Sequence, residues 1–160
     1  MKEAIIRIFR ENGCLKPSEI AARLGCDEEI VKTQIAELES DKIITGYQVL
    51  MNEAILPQSG VMAVIEVKVR PEREGGFDKI AKRLGKFPEV HSLYLMSGGY
   101  DLQLVIRGDS LQEIATFVAR KLATIDGVIS TTTHFLLKKY KEAGVLFEEE
   151  DEYERLKVSP

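Results

Sequence analysis

Two short segments of the sequence carry groups that could bind a small charged molecule. Gly98 and Gly99 have no side chains, so their backbone N–H groups can approach a ligand closely and hydrogen-bond a carboxylate. Asp101 can accept a hydrogen bond from an ammonium group, which together with the glycines matches both ends of an α-amino acid. Additional hydroxyl groups come later in the chain, at Thr131, Thr132 and Thr133. A purely structural interpretation stays open, because a Gly-Gly pair also makes hairpin turns and threonine is common in strands.

Residues 15–49 suggest a second kind of chemistry, which is the contact of a helix with nucleic acid. Gly25 is typical of a helix end and Asp27 of the N-cap of the next helix, so the segment predicts a helix-turn-helix with a following extended wing. On the second helix Lys32 and Thr33 are donors that could face a DNA groove, and Gln34 could contact a base edge or a phosphate. The same shape also serves as a dimerisation or protein-interaction module.

The charge of the chain is unevenly distributed. The net charge is −4 overall, but residues 1–50 hold 7 Lys/Arg and 9 Asp/Glu, whereas residues 60–142 hold 13 and 10. A DNA-binding domain normally has a basic surface, and Glu28, Glu29 and Glu37 would oppose phosphates near the groove. We therefore expect weak, strongly salt-sensitive binding to double-stranded DNA that depends on several subunits acting together.

Composition excludes several classes of protein. The hydrophobic content is 44%, and no apolar run approaches the roughly 20 residues that a membrane span needs. Cys14 and Cys26 are too few for a disulfide scaffold or a four-cysteine zinc site. We expect a cytoplasmic protein with no membrane association, no bound metal and no cofactor.

The remaining elements predict an α+β chain with two domains. Alternating apolar residues over 61–69 indicate a strand, and the pattern continues as β-α-β-β-α-β, the ferredoxin-like arrangement. Two helices would cover one face of its sheet, so the other face is expected to pack against a second copy. The residues predicted for that uncovered face are Met62, Val64, Leu93, Leu95, Gln103, Val105 and Phe135.

These patterns set the domain boundaries. Residues 1–46 are predicted as a winged helix-turn-helix, 47–60 as a strand linker and 61–142 as a ferredoxin-like effector-binding and oligomerisation domain. Residues 143–160 form an acidic C-terminal tail with 2 Lys/Arg and 6 Asp/Glu. Such a run is usually a solvated end, although it could also compete with DNA for basic groups on a neighbouring subunit.

Several short motifs occur in the order and spacing of a known family. In the first half they are Gly25-Cys26-Asp27, Val31, Gln34 to Glu39 and Lys42 to Tyr47. In the second half they are Phe87-Pro88-Glu89-Val90, the turn Gly98-Gly99-Tyr100-Asp101, Ile125-Asp126-Gly127-Val128 and the Thr-rich strand from Ser130 to Thr133. Over residues 3–141 the chain resembles the Lrp/AsnC family of leucine- and asparagine-responsive regulators.

The resemblance implies an N-terminal DNA-binding domain tied to a C-terminal domain that senses a ligand and forms oligomers. It implies homodimers that assemble into tetramers, octamers or larger discs, and a small effector, commonly an amino acid, near the turn that contains Tyr100. The chain departs from the pattern at Gln34 and Glu37, where the family carries Arg, and at Lys42, where a glycine closes the helix.

Two alternative functions stay open. Sirohaem decarboxylases share this two-domain plan, but their pattern has His at the position of Ser92, whereas His91 is offset by one residue and would point to the opposite face of a strand. We therefore expect no enzymatic activity. The other alternative is a ligand-binding or interaction protein of the same fold that has weak or lost DNA binding, which the acidic second helix supports.

Overall fold

The computed structural model describes residues 1–56, 60–71 and 76–147, and the chain divides into two compact units, Met1–Met51 and Asn52–Pro160. The division falls inside the segment predicted as a linker. No helix among the described residues is long and apolar enough to cross a membrane. Most of the predicted acidic tail, residues 148–160, lies outside the described residues.

The first unit contains three helices, α1 (Lys2–Glu11), α2 (Pro17–Leu24) and α3 (Glu28–Ser40). Pro17 occupies the first turn of α2, where its missing N–H costs no hydrogen bond. Gly25 ends α2 in the left-handed conformation with φ 65°. Asp27 then caps α3 by accepting a hydrogen bond from the N–H of Glu29 at 2.7 Å. These local signals confirm the predicted helix-turn-helix.

The three helices meet in a small apolar core made by Ile5, Ile20, Ala21, Val31 and Leu38. At the end of α3, Lys42 adopts a left-handed conformation with φ 58° while the N–H groups of Ile43 and Ile44 donate to the carbonyl of Leu38. The predicted extended wing and the start of the predicted strand linker contain no strand over residues 43–52. A strand needs a hydrogen-bonded neighbour, and the described part of this unit contains no other strand. Tyr47 instead packs edge-on against Phe9, with 5.8 Å between ring centroids.

The second unit contains a four-stranded antiparallel sheet and short helices in the predicted β-α-β-β-α-β order. Its elements are β1 (Val61–Val69), α4 (Asp78–Leu84), β2 (Val90–Leu95), β3 (Leu102–Gly108), α5 (Leu111–Phe117) and β4 (Val128–Phe135). The spatial order of the strands is β2-β3-β1-β4. A short 3-10 helix, Glu53–Ile55, precedes the sheet, and a two-stranded hairpin of β5 (Lys141–Glu142) and β6 (Val145–Leu146) follows it.

The register decides which side chains lie under the helices. Residues directly opposite in antiparallel strands share a face, and the buried core residues of β1 and β3 alternate along both strands. The core of this unit comprises Ala63, Ile65, Val67, Val69, Ile80, Leu84, Leu102, Leu104, Ile106, Ile114, Phe117, Leu122 and Ile125. We call this side the helix face and the other side the open face.

Part of the predicted open face is wrong. Met62, Val64, Gln103 and Val105 alternate with the core residues and lie on the open face. Leu93 and Leu95 pair with Leu104 and Leu102, and Phe135 pairs with Ala63, so these three lie on the helix face. A register shift between Val90 and Ser92 breaks the simple alternation in β2, and a local pattern does not reveal such a shift.

Gly127 marks a tight approach between the last turn before β4 and helix α4. Its φ is 91°, and a Cβ placed there would lie 2.6 Å from Cδ1 of Ile80. The N–H of Arg70 also donates to the Gly127 carbonyl at 2.7 Å. A side chain at this position would therefore be strained by both the backbone conformation and the lack of space.

Candidate functional site

The three residues predicted to contact DNA lie together on α3, but each is already bonded to the same helix. Lys32 Nζ contacts Glu29 Oε1 at 2.8 Å and Glu28 Oε1 at 3.0 Å. Thr33 Oγ1 donates to the carbonyl of Glu29 at 2.8 Å, and the Gln34 amide donates to Glu37 Oε2 at 3.3 Å. A phosphate or base must therefore displace internal partners before it can use these donors.

The surrounding carboxylates also change the electrostatics of the helix. Hydrogen bonds to Glu29 and then Glu28 raise the pKa of Lys32, so it remains charged. Glu37 pairs with Lys2 at 2.9 Å and thereby links α3 to α1. Glu37 thus has a partner within the fold. Three carboxylates, Glu28, Glu29 and Glu37, thus surround two lysines, Lys2 and Lys32, near these donors.

Two cations on or beside α2 were not among the predicted DNA-binding residues. The side chains of Lys16 and Arg23 make no ion pair with any other described residue of the chain. Lys16 precedes α2, where its N–H donates to Glu19 Oε2 at 2.7 Å, and Arg23 lies in the last turn of the same helix. The first helix of a helix-turn-helix crosses the DNA backbone, so a search of the sequence for cations at the two ends of α2 could have found both residues.

The Gly98–Asp101 turn connects β2 to β3 and is fixed by hydrogen bonds to β1. Asp101 donates its N–H to the carbonyl of Val67 at 3.1 Å, and its Oδ2 accepts from the N–H of Val69 at 2.9 Å. Oδ1 accepts no hydrogen bond from another described residue. A Cβ built on either Gly98 or Gly99 would meet nothing within 4 Å, and only Gly98 has a positive φ, 149°. The turn thus combines an exposed backbone with a carboxylate oxygen that no other described residue occupies.

The three threonines do not converge on that turn. Thr131 and Thr133 pair with Val67 and Ile65 and lie on the helix face, whereas Thr132 pairs with Glu66 and lies on the open face. Strand β1 separates them from the turn, and strands on either side of a third are roughly 10 Å apart. Thr131 and Asp101 both lie opposite Val67, on the two sides of β1. Within one chain, Thr131 is therefore the threonine best placed to complete a site that extends from the turn across β1.

Tyr100 belongs to a polar row on the open face that sequence reasoning did not predict. Its hydroxyl donates to Gln103 Oε1 at 2.9 Å, and Gln103 is paired in the register with Glu66. His134 Nε2 lies 3.5 Å from Glu66 Oε1 on the far side of the row. At alternate positions of β1, the apolar residues Met62 and Val64 are followed by the charged residue Glu66. This switch from apolar to charged could have indicated the polar row from the sequence. No described group of three His, Cys, Asp or Glu residues is arranged to hold a metal ion.

Comparisons with known proteins agree on one family. Residues 62–146 match the family model described as the Lrp/AsnC ligand binding domain. The chain is 47% identical over 98% of its length to the uncharacterised HTH-type transcriptional regulator YugG of Bacillus subtilis, covering 95% of that protein. It is 31% identical to the HTH-type transcriptional regulator LrpA of Pyrococcus horikoshii, over 86% of this chain and 94% of that one.

A solved structure gives the same result for the fold. A transcriptional regulator of Neisseria meningitidis, crystallised as a complex with L-Met, is 25% identical and superimposes with a TM-score of 0.69. The match covers 88% of this chain and 90% of that one. That regulator therefore shares the fold of this chain over the matched residues.

Proposed function

Because this chain belongs to the Lrp/AsnC family of transcriptional regulators, we propose that it binds double-stranded DNA through its first unit and a small effector through its second. The observation that carries the proposal is the helix-turn-helix itself, in which Gly25 ends α2 and Asp27 caps an exposed α3. The family is not one of enzymes, so we propose no catalytic activity. We propose instead that the protein regulates transcription in the cytoplasm, where it has access to DNA.

The proposed DNA contact combines both helices of the motif. Lys32, Thr33 and Gln34 would enter the groove after exchanging their present partners, while Lys16 and Arg23 would contact phosphates. The motif would thus bring few cations to the phosphates, so few counterions would be released per subunit and the affinity would be low. Linked copies raise the avidity by roughly 10²–10⁴, so assembly would supply the remaining strength.

Fluorescence anisotropy with a DNA fragment from upstream of the protein's own gene tests this proposal. We expect weak binding at about 0.2 M salt that strengthens steeply at about 0.05 M. Arg23→Ala should weaken binding, whereas Lys82→Ala, which removes an equal charge from α4 in the second unit, should not. Tight, specific binding by an isolated dimer at physiological salt would contradict the dependence on assembly.

The proposed effector is an amino acid bound at the Gly98–Asp101 turn. The backbone N–H groups of the glycines would hold its carboxylate, and Asp101 Oδ1 would accept a hydrogen bond from its ammonium. Tyr100 lies within the turn, and Thr131 or a second subunit would complete the site, whereas Thr132 and Thr133 lie across β1 from it. Support comes from Asp101 Oδ1, which no other described residue occupies, from the open space at Gly99 and from the relative crystallised with L-Met.

A calorimetric screen of the common L-amino acids tests the ligand. Gly99→Ala is the sharpest variant, because its methyl group meets nothing in the free protein but would crowd a ligand held by the backbone. We expect Gly99→Ala to keep the thermal stability of the parent and to lose effector binding, and Asp101→Ala to lose both. Unchanged binding in Gly99→Ala would exclude the turn as the site.

We also propose that the open face joins two copies into a homodimer, which then assembles further into tetramers or octamers. Met62, Val64 and Val105 form a half-buried apolar centre there, and a second copy would cover it. Light scattering should give at least a dimeric mass, and Val64→Glu should give a folded monomer. A monomeric parent chain would refute this mode of assembly.

A second candidate function is ligand sensing without effective DNA binding. It is favoured by one observation, which is that the three predicted DNA-binding side chains of α3 are all bonded internally. The anisotropy experiment separates the two candidates, since this one predicts no binding even at about 0.05 M salt.

A further inference from the structure

Exposed cations are concentrated on the second unit at the end of α4. Lys82 and Arg83 lie in the last turn of that helix, and Lys86 follows it, with its N–H donating to the Arg83 carbonyl at 3.3 Å. Spacings of three and four residues put these side chains on neighbouring positions of the helix surface. All three are exposed, and none makes an ion pair with another described residue.

The end of α5 lies beside this group of cations. Phe87, which follows Lys86 in the chain, packs edge-on against Phe117, with 5.6 Å between ring centroids. Lys121 Nζ lies 5.9 Å from the centroid of each ring. The two aromatic rings thus join the end of α4 to the segment that follows α5.

That segment adds one more cation without a described partner. It forms a single π turn, Val118–Leu122, which carries Arg120 and Lys121. Lys121 is committed to Glu89, whose Oε1 accepts a hydrogen bond from its Nζ. Arg120 is exposed and pairs with no other described residue. We call Lys82, Arg83, Lys86 and Arg120 the basic ridge.

The last described residue, Phe147, lies at the same end of the sheet as Glu89. Leu136 donates its N–H to the Met62 carbonyl at 2.9 Å, and Met62 pairs with Arg107 in the register. Arg107 in turn donates its N–H to the Glu89 carbonyl at 3.2 Å. Phe147 lines a depression together with Met62 and Leu136. Across three strand spacings, this depression is roughly 14 Å from Glu89.

The sequence that follows Phe147 is complementary in charge to the basic ridge. Residues 148–152, which lie outside the described residues, read Glu-Glu-Glu-Asp-Glu, and we call them the acidic segment. Five extended residues span up to roughly 17 Å, which is enough to reach the ridge. Exposed ion pairs are individually weak, but attachment to the same chain gives the segment an effective concentration in the millimolar range. We propose that the acidic segment docks on the basic ridge of its own chain.

The docked segment occupies the cations with carboxylates and so shields them from other polyanions. Contacts of cations with phosphates supply the sequence-independent part of DNA affinity, and the docked segment removes that contribution from the second unit. Single substitutions in the ridge, such as Lys82→Ala, therefore leave DNA binding of the full chain unchanged. This consequence rests on the proposed function, whereas the docking itself does not.

Crosslinking of the full chain with a water-soluble carbodiimide tests the docking, because this reagent joins carboxylates only to lysines that they contact directly. We expect crosslinks from the acidic segment to Lys82 and Lys86 in several-fold higher yield than to Lys16. Lys16 is the matched control, since it is exposed and makes no ion pair with another described residue. The crosslinks to the ridge should disappear at about 1 M salt, where the Debye length is about 3 Å. Equal yields at all three lysines, or no crosslinks to the ridge, would overturn the proposal.

An equal mixture of unlabelled and isotopically heavy chains, left to exchange subunits, distinguishes the chain's own segment from that of a neighbour. We expect each crosslinked pair of peptides to be wholly unlabelled or wholly heavy. Mixed pairs in the proportion of random exchange would mean docking between copies and would overturn the proposal for a single chain.

Full-length variants test the shielding by fluorescence anisotropy with DNA. The neutralised variant, Glu148→Gln/Glu149→Gln/Glu150→Gln/Asp151→Asn/Glu152→Gln, should bind DNA more tightly than the parent. Its slope of log K against log salt should steepen by about 0.9 for each ridge cation that reaches a phosphate. Adding Lys82→Ala/Lys86→Ala to this variant should reverse both changes. The conservative variant Glu148→Asp/Glu149→Asp/Glu150→Asp/Glu152→Asp keeps the charge and should behave as the parent.

The two assays fail independently. Unchanged affinity and slope in the neutralised variant would refute the shielding. Absence of DNA binding in every variant would refute the proposed function, while the crosslinks would still decide whether the acidic segment docks on the basic ridge.

Discussion

Replacing both Glu28 and Glu29 by glutamine should tighten DNA binding, because these carboxylates hold Lys32 and repel phosphates. Without salt screening, a unit charge about 10 Å from a phosphate changes the affinity about twofold, so removing two charges yields about fourfold at most, and less at about 0.1 M salt, where the Debye length is about 10 Å. A released Lys32 can neutralise one more phosphate per subunit, which steepens the slope of log K against log salt by about 0.9. Together these effects predict roughly tenfold tighter binding at about 0.1 M salt.

The assay is fluorescence anisotropy across a series of salt concentrations, with Glu3→Gln/Glu11→Gln on α1 as the matched control. That control removes the same charge from the same unit without releasing a lysine. We expect it to raise affinity about fourfold at most and to leave the salt slope unchanged. If Glu28→Gln/Glu29→Gln gives the same slope and affinity as the control, Lys32 is not restrained by its carboxylate partners and the reasoning is wrong.

Three further variants test the fold around the sites. Gly127→Ala should lower the free energy of unfolding by about 1–3 kcal/mol, because its Cβ would lie 2.6 Å from Ile80 Cδ1; an unchanged denaturant midpoint would contradict the tight packing. Lys42→Gly should raise the free energy of unfolding by up to about 1 kcal/mol, because glycine relieves the strain of the left-handed conformation at φ 58°. A lower denaturant midpoint would count against that strain. The Lys121 hydrogen bond depresses the pKa of Glu89, so its contribution to stability is present above the ordinary value of 4.5 and is lost as pH falls through the lower folded value. Acid unfolding of Glu89→Gln should therefore depend less steeply on pH in that range, and an identical pH dependence would refute this linkage.

The helices of the first unit could be predicted from the sequence because their signals are local. Pro17, Gly25 and Asp27 act within one turn of the helix ends that they define, and the structure places them as predicted. The wing could not be predicted in the same way. Its apolar residues have strand character, but strand pairing depends on a neighbour that the described single chain does not provide.

In the sheet, the alternation within β1 and β3 could be predicted, but the facing of the edge strands could not. The register shift at Val90 and Ser92 and the pairing of Phe135 with Ala63 depend on how strands align, which no single segment encodes. The same limit applies to the candidate ligand site. Adjacency of the three threonines in sequence suggested one cluster, whereas alternation along β4 puts Thr132 on the opposite face from its neighbours.

The internal bonding of the α3 donors could be anticipated only in part. The spacing of Glu28 and Lys32 permits an ion pair one helical turn apart, and the structure contains it at 3.0 Å. The contact of Lys2 with Glu37 joins residues far apart in sequence and follows from the packing of α1 on α3. Sequence thus indicated that the helix was acidic, and tertiary structure determined which donors remain available.

The central position of β1 has a consequence for how the protein is made. Strand β1 pairs with β3 on one side and with β4 on the other, and β4 is the last strand of the main sheet to leave the ribosome. Roughly 70 residues must be synthesised between β1 and β4, which takes several seconds at about 5–20 residues per second. During that time the apolar strand has an unpaired edge, whereas the helical first unit, built from local contacts, can already be folded. We therefore expect the nascent sheet domain, rather than the helix-turn-helix, to depend on chaperones and to be the first part to aggregate on overexpression.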